Sequence, residues 1–374
     1  MIPRLASTLL LACLASLPFL PQQAQGAGNV ITIGQAIDLS GPNAALGRDY
    51  VAGIKTCFDA VNAAGGINGK RIQYIVQDDH GDAERSAKAV GSLIERDQAD
   101  FLVGGVGDDT LRAVLESAAF KRSGHMLFAP LAANDYPAGT RALFWRPTFR
   151  QELSHVFAHF SRLGASGVGL VMQDTPASAD SMRALNGVIA EHKGMIRASV
   201  RLAADGSNAA VEARKLAVAK PDFIVVVADT IGTALFLKEF RKVDAQTFVA
   251  GTSLINLETL RELAGAKAVE WTVFSQVVPN PAAGNSMIQM EHLKMMRKYR
   301  DEAVSSLTLE GYAAAKVLVR IIQQARGGRQ ALHETLAQPT EIELGGLAAA
   351  TGTNRTRLSS YLDIALFKKG VLMF

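Results

Sequence analysis

From residue 29 onward, short β-rich runs alternate with helical patterns, and no other feature limits the fold of this chain so strongly. Runs at 30–36, 71–76, 101–103, 125–129 and 142–146 make a first series, interleaved with segments whose apolar residues recur at helical spacing, such as Tyr50, Ile54, Phe58 and Val61. The same rhythm restarts near Leu153 and passes through runs at 167–172, 196–201, 222–229 and 247–250. Alternation of this kind predicts βαβ units with parallel strands. The expected fold class is therefore α/β, built as two similar halves. The most apolar run, Phe223-Ile224-Val225-Val226-Val227-Ala228 between Asp222 and Asp229, suits a strand covered on both faces.

A chain of 374 residues with 48% apolar content has enough material for two cores. Its formal net charge of +4 is small and scattered, which leaves no footprint for nucleic acid as a partner. Residues 1–26 differ in kind: Arg4 precedes an apolar run at 5–20, and a polar stretch follows with small residues at Ala24 and Gly26. This predicts a signal peptide cleaved before Ala27, the apolar run being short for a transmembrane helix. A lipoprotein box at Leu10-Leu11-Ala12-Cys13 is the competing reading, opposed by a second apolar run at 14–20 where a polar tether is expected. Loss of the signal leaves Cys57 as the one thiol, so no internal disulfide can form. It shares the apolar side of its helical pattern and reads as core.

The turn Gly104-Gly105-Val106-Gly107-Asp108-Asp109-Thr110 is a natural site wall, because ligands of open α/β sheets sit outside the carboxyl ends of the strands. Its glycines permit a tight strand-to-helix reversal, and the N–H groups opening the next helix are free for a polar ligand group. Two carboxylates stand at that same helix start. The expectation is that one of Asp108 and Asp109 caps the helix while the other faces the ligand.

Five stretches, taken in order, carry a family resemblance: Asp38-Leu39-Ser40-Gly41-Pro42, the segment 61–69 ending in Gly65-Gly66-Ile67-Asn68-Gly69, Gln77-Asp78-Asp79, Val103-Gly104-Gly105-Val106-Gly107, and Glu310-Gly311-Tyr312 continuing to Lys316. The chain resembles the leucine/isoleucine/valine-binding family of type I periplasmic binding proteins, which serve ATP-binding-cassette (ABC) importers. The resemblance implies two Rossmann-like lobes joined by three crossing strands and closing on a ligand by hinge motion, as a venus flytrap does. It implies a first lobe of residues 27–147 plus 279–345 and a second of 148–278 plus 346–374, with crossings near 146–149, 276–280 and 344–355. The implied function is that of an exported, periplasmic solute-binding protein, a monomer, that passes a small polar organic ligand, amino-acid-like or an amide, to a membrane permease. A ligand-sensing receptor or adaptor of the same fold is the alternative.

The resemblance also places the ligand. Asp108, Asp109, Thr110, Ala132, Ala133 and Asn134 would line one side of the cleft, and Asp174, Asp229, Thr230 and Ser253 the other. Where the family holds a ligand carboxylate with hydroxyls and N–H groups, this chain offers acids; where a glutamate meets the amine, it offers Ser253. A buried charge must be paired. The ligand is then inverted, cationic or not a standard α-amino acid.

Other chemistries find little support. Asp78-Asp79-His80-Gly81-Asp82 lacks the spacing and distal glutamate of a calcium loop, and the resemblance implies a structural turn with a helix cap there. Gly105-Val106-Gly107 lacks the third glycine and the ribose-binding acid of a dinucleotide site. His155 and His159 share a helix face, yet Val156 stands where a metalloprotease has its general base. No histidine has an evident nucleophile partner. No catalytic residue, metal or cofactor is expected.

Overall fold

The computed structural model describes residues 29–132, 134–137, 139–325 and 329–374. The expected signal peptide with Cys13, and Ala133 of the expected site, lie outside the described residues.

The first series of elements is β1 (Val30–Ile37), α1 (Ala44–Ala63), β2 (Arg71–Asp78), α2 (Ala83–Glu95), β3 (Phe101–Val103), α3 (Asp108–Glu116), α4 (Ala118–Ser123), β4 (Leu127–Phe128) and β5 (Ala142–Leu143). The second is α5 (Phe149–Arg162), β6 (Gly167–Gln173), α6 (Ser178–Glu191), β7 (Met195–Leu202), α7 (Ala209–Ala219), β8 (Phe223–Val227), α8 (Thr230–Phe240), β9 (Phe248–Gly251), α9 (Leu257–Ala264) and β10 (Thr272–Gln276). The chain then runs through α10 (Met287–Tyr299), α11 (Ser306–Ala325), α12 (Arg329–Ala337) and β11 (Thr340–Glu343). It ends with β12 (Ala348–Thr351), β13 (Asp363–Lys368) and β14 (Val371–Met373).

The first sheet has the order β2-β1-β3-β4-β5 and is parallel throughout. The second has the order β14-β13-β10-β9-β8-β6-β7; β10 to β7 are parallel, and the terminal hairpin adds β13 and β14 antiparallel. As its apolar run predicts, β8 lies between β6 and β9 with Phe223, Ile224 and Val225 buried.

Late elements return to the first lobe. α11 packs on α1 so closely that a Cβ on Gly53 would fall 2.0 Å from the Thr308 carbonyl oxygen. Residues 344–357, whose Gly-, Ala- and Thr-rich composition reads as a linker, hold β12, which pairs antiparallel with β11. Leu344, Leu347, Ala349 and Leu358 share one buried cluster with Ile33, Leu143 and Trp145 of the first lobe. Small residues serve here to bring a hairpin against a packed surface. The third crossing runs beside the first: Leu358 N–H donates to Phe144 O and Ser359 N–H to Trp145 O, both at 2.8 Å. The chain joins the second sheet at β13.

The amphipathic segment 111–122 reads as one helix, but it breaks at Ser117. Its backbone is extended there, and its hydroxyl accepts from Phe120 N–H at 3.3 Å to cap α4.

The acidic motifs are architectural. Asp38 is fully buried and accepts from the N–H groups of Gly41 at 2.5 Å and Asn43 at 2.8 Å, which shapes the loop after β1. Asp79 accepts from Ser86 Oγ at 2.6 Å and Asp82 caps α2 through Arg85 N–H at 2.8 Å. Among the described residues no group of three or more His, Cys, Asp or Glu is placed to hold a metal ion, and no helix is long and apolar enough to cross a membrane.

Candidate functional site

The loops at the carboxyl ends of β1, β3 and β4 face those of β6, β8 and β9 across a cavity of about 410 Å³. This is where an open α/β sheet leaves N–H groups and loop side chains free. Much of the wall is apolar, from Leu46, Val106 and Leu131 on one lobe to Met172, Val226 and Ile255 on the other, with Phe149 at the crossing. Among the described residues the lining includes no Lys, Arg or His; its charged residues are Asp108, Asp109, Asp174 and Asp229.

The opening turn of α3 explains what each acid does. Gly107 occupies the cap position with φ 105, a left-handed backbone that glycine adopts without strain, and no side chain caps the helix. Asp108 points instead to the next loop, where its Oδ1 accepts from Asn134 N–H at 3.0 Å and Tyr136 OH at 2.8 Å. Thr110 is buried and spends its hydroxyl on the Val106 and Gly107 carbonyls at 2.6 and 2.9 Å. Asp109 lines the cavity half-buried, and its carboxylate accepts no hydrogen bond from the described residues. Burial raises its carboxyl above the ordinary aspartate value; Arg112 opposes the rise, while Asp108 and Asp180 add to it. Neither aspartate caps the helix, contrary to expectation.

On the second lobe, Asp229 is the cap. Its Oδ1 accepts from Gly232 N–H at 2.6 Å, and its Oδ2 and N–H bond reciprocally with the Gln173 amide at 2.9 and 2.8 Å. Thr230 is buried with its Oγ1 accepting from Asn256 N–H at 3.1 Å. Asp174 sits at the rim, well exposed and paired with Arg201 at 3.3 Å.

Ser253 does not line the cavity; its neighbours Thr252 and Leu254 do. It turns into the hinge, where its Oγ accepts from Arg146 Nη1 at 2.9 Å and its N–H donates to Glu152 Oε2 at 2.9 Å. Glu152 Oε2 also accepts from Ser275 Oγ at 2.7 Å. Arg357 of the third crossing donates to the carbonyl oxygens of Arg146 and Pro147 at 3.3 and 3.4 Å. The first and third crossings thus meet at Arg146, and Ser275 beside the second is tied to the same network through Glu152 and Ser253.

Ala132 is buried in the core and Asn134 lies between the lobes; neither lines the cavity. Asn134 Oδ1 accepts from Ser181 Oγ of α6 at 3.2 Å. Further contacts join the lobes, among them Arg112 with Asp180 at 3.1 Å, and Asn256 Nδ2 with Asp49 Oδ2 at 2.9 Å and Ala45 O at 3.3 Å. None of these pairings is signalled locally in the sequence.

A family model described as periplasmic binding protein matches residues 30–369. The chain belongs to the periplasmic binding protein family. Its fold is the type I fold of that family. It is similar to an amino acid binding protein of Pseudomonas aeruginosa, 34% identical over 74 residues, a match spanning 20% of each chain. Among solved structures it is similar to a substrate-binding periplasmic protein of Ralstonia solanacearum, with TM-score 0.85 and 22% identity over 92% of this chain and 99% of that one. It is also similar to the branched-chain amino acid transporter substrate-binding protein LivJ of Streptococcus pneumoniae, solved in complex with isoleucine, with TM-score 0.80 and 19% identity over 92% and 97% of the two chains. At these identities the likeness shows the fold, and in this member of the family the cleft itself must speak for the ligand.

Proposed function

We propose that this chain is an exported solute-binding protein that closes on a small molecule with an apolar body and a neutral or cationic hydrogen-bond-donating head. After loss of residues 1–26 it works in the periplasm as a monomer and hands its ligand, unchanged, to the membrane permease of an ABC importer. One observation carries the ligand class: Asp109 faces a largely apolar cavity in which, among the described residues, no Lys, Arg or His is available to balance a ligand carboxylate. An ammonium or amide on Asp109 would pair the carboxylate that burial disfavours, while the apolar walls would cover a hydrocarbon or aromatic body.

Mass spectrometry of the compound that co-purifies with the protein tests this, followed by calorimetry against matched series of amines, amides and carboxylic acids. Amines or amides are expected to bind and to draw the lobes together in solution scattering. Tight binding confined to dianionic acids would overturn the proposal.

A further inference from the structure

Arg112 stands between carboxylates of opposite lobes. From α3 its Nη2 donates to Asp180 Oδ2 on α6 at 3.1 Å, while Asp109, one turn back on α3, faces the cavity. Arg183, also on α6, donates to the other oxygen of Asp180. The charges felt at Asp109 are Arg112, of opposite sign, and Asp108 and Asp180, of the same sign. Among the described residues, Arg112–Asp180 is an ion pair joining the two lobes beside the cleft, whereas Asn134–Ser181 and Asn256–Asp49 are hydrogen bonds that involve a neutral partner.

We infer that Arg112 couples the charge held in the cleft to lobe closure: a cationic or donor group on Asp109 releases Arg112 to Asp180 and tightens the pair between the lobes. The inference rests on the reading that Asp109 meets the ligand head. The physical reason is a competition. With the cleft empty, Asp109 attracts Arg112 back toward its own lobe and repels Asp180 on the other, and both forces oppose closure. A bound cation cancels both, and an anion in the same place would add to them. Arg112 is thus a positioning residue that makes closure selective for the sign of the ligand charge.

The test needs no ligand. Cysteines replacing Lys88 on α2 and Val218 on α7, both strongly exposed, carry a fluorophore pair for energy transfer, Cys57 being buried. Sodium chloride is the probe. At low salt, Asp180→Asn and Arg112→Gln are each expected to lower the ratio of closed to open molecules about threefold, the scale of an exposed ion pair. High salt should erase the difference. Asp109→Asn should raise the ratio by a similar factor without ligand, and that rise should vanish in combination with Asp180→Asn. An unchanged ratio in Asp109→Asn, a rise that persists in the double variant, or one salt-independent population in every variant overturns the coupling. The ligand reading is scored separately: if Asp109→Asn loses affinity for the co-purified compound but leaves the ligand-free ratio unchanged, Asp109 is a ligand group and the coupling is wrong.

Discussion

Arg146 and Glu310 stand 164 residues apart in the chain and meet as a bidentate pair, Nε to Oε1 at 3.1 Å and Nη2 to Oε2 at 2.6 Å. Each is about 1% exposed. The pair fastens the first crossing segment to α11 of the first lobe, and through Ser253 it also reaches the second. Removing one partner of such a pair leaves a buried charge without compensation. Arg146→Met is expected to cost about 3–5 kcal/mol in urea unfolding, and Arg146→Met with Glu310→Met to recover part of the loss.

Asp109→Asn should trade affinity for stability. Loss of a charge-assisted hydrogen bond predicts a ligand affinity lower by about 10- to 100-fold in calorimetry. The folded carboxyl titrates above the ordinary 3.8, so the folded state holds the extra proton and stability falls as pH rises through that window. At neutral pH the charged group therefore opposes folding, and Asp109→Asn should unfold at slightly higher temperature than the parent. A fall in melting temperature with affinity kept would assign Asp109 a structural role.

Asp108→Ala should behave in the opposite way. It strands Asn134 N–H and leaves Tyr136 OH only the longer bond to the Asp108 carbonyl at 3.3 Å, for a cost of about 1–3 kcal/mol in chemical denaturation. Hydrogen exchange at Asn134 should quicken, because its N–H loses its acceptor.

Asp229→Ala removes the α8 cap and one of the acceptors of Gln173 Nε2 together, and a cost of about 1–2 kcal/mol is expected in thermal unfolding. Asp229→Asn, which keeps an acceptor for Gly232 N–H, should lose less.

His292 on α10 is buried with neither ring nitrogen hydrogen-bonded, and burial lowers its pKa to about 4. The unfolded chain takes up this proton near 6.5 and the folded one only near 4, so stability is kept above 6.5 and falls as pH drops between the two values. The slope from this group alone is about 1.4 kcal/mol per pH unit. His292→Phe should flatten that limb of a stability curve measured by urea between pH 7 and 4.

The sequence by itself determined the βαβ rhythm, the buried β8 run and the turns that point into a cleft. These are legible because strand and helix periodicity, glycine turns and caps act over a few residues. The family follows from the same local motifs taken in order. What each polar side chain does was decided only in three dimensions. Asp109 and Asp108 are neighbours of identical chemistry, yet one meets Asn134 N–H 26 residues away and the other meets the cavity. Asp229 reads as a ligand group until Gln173, 56 residues earlier, is placed beside it, and Ser253 until Arg146, 107 residues away, takes its hydroxyl. A buried polar group must find a partner wherever the packed chain provides one, and no local pattern records which distant strand end will arrive.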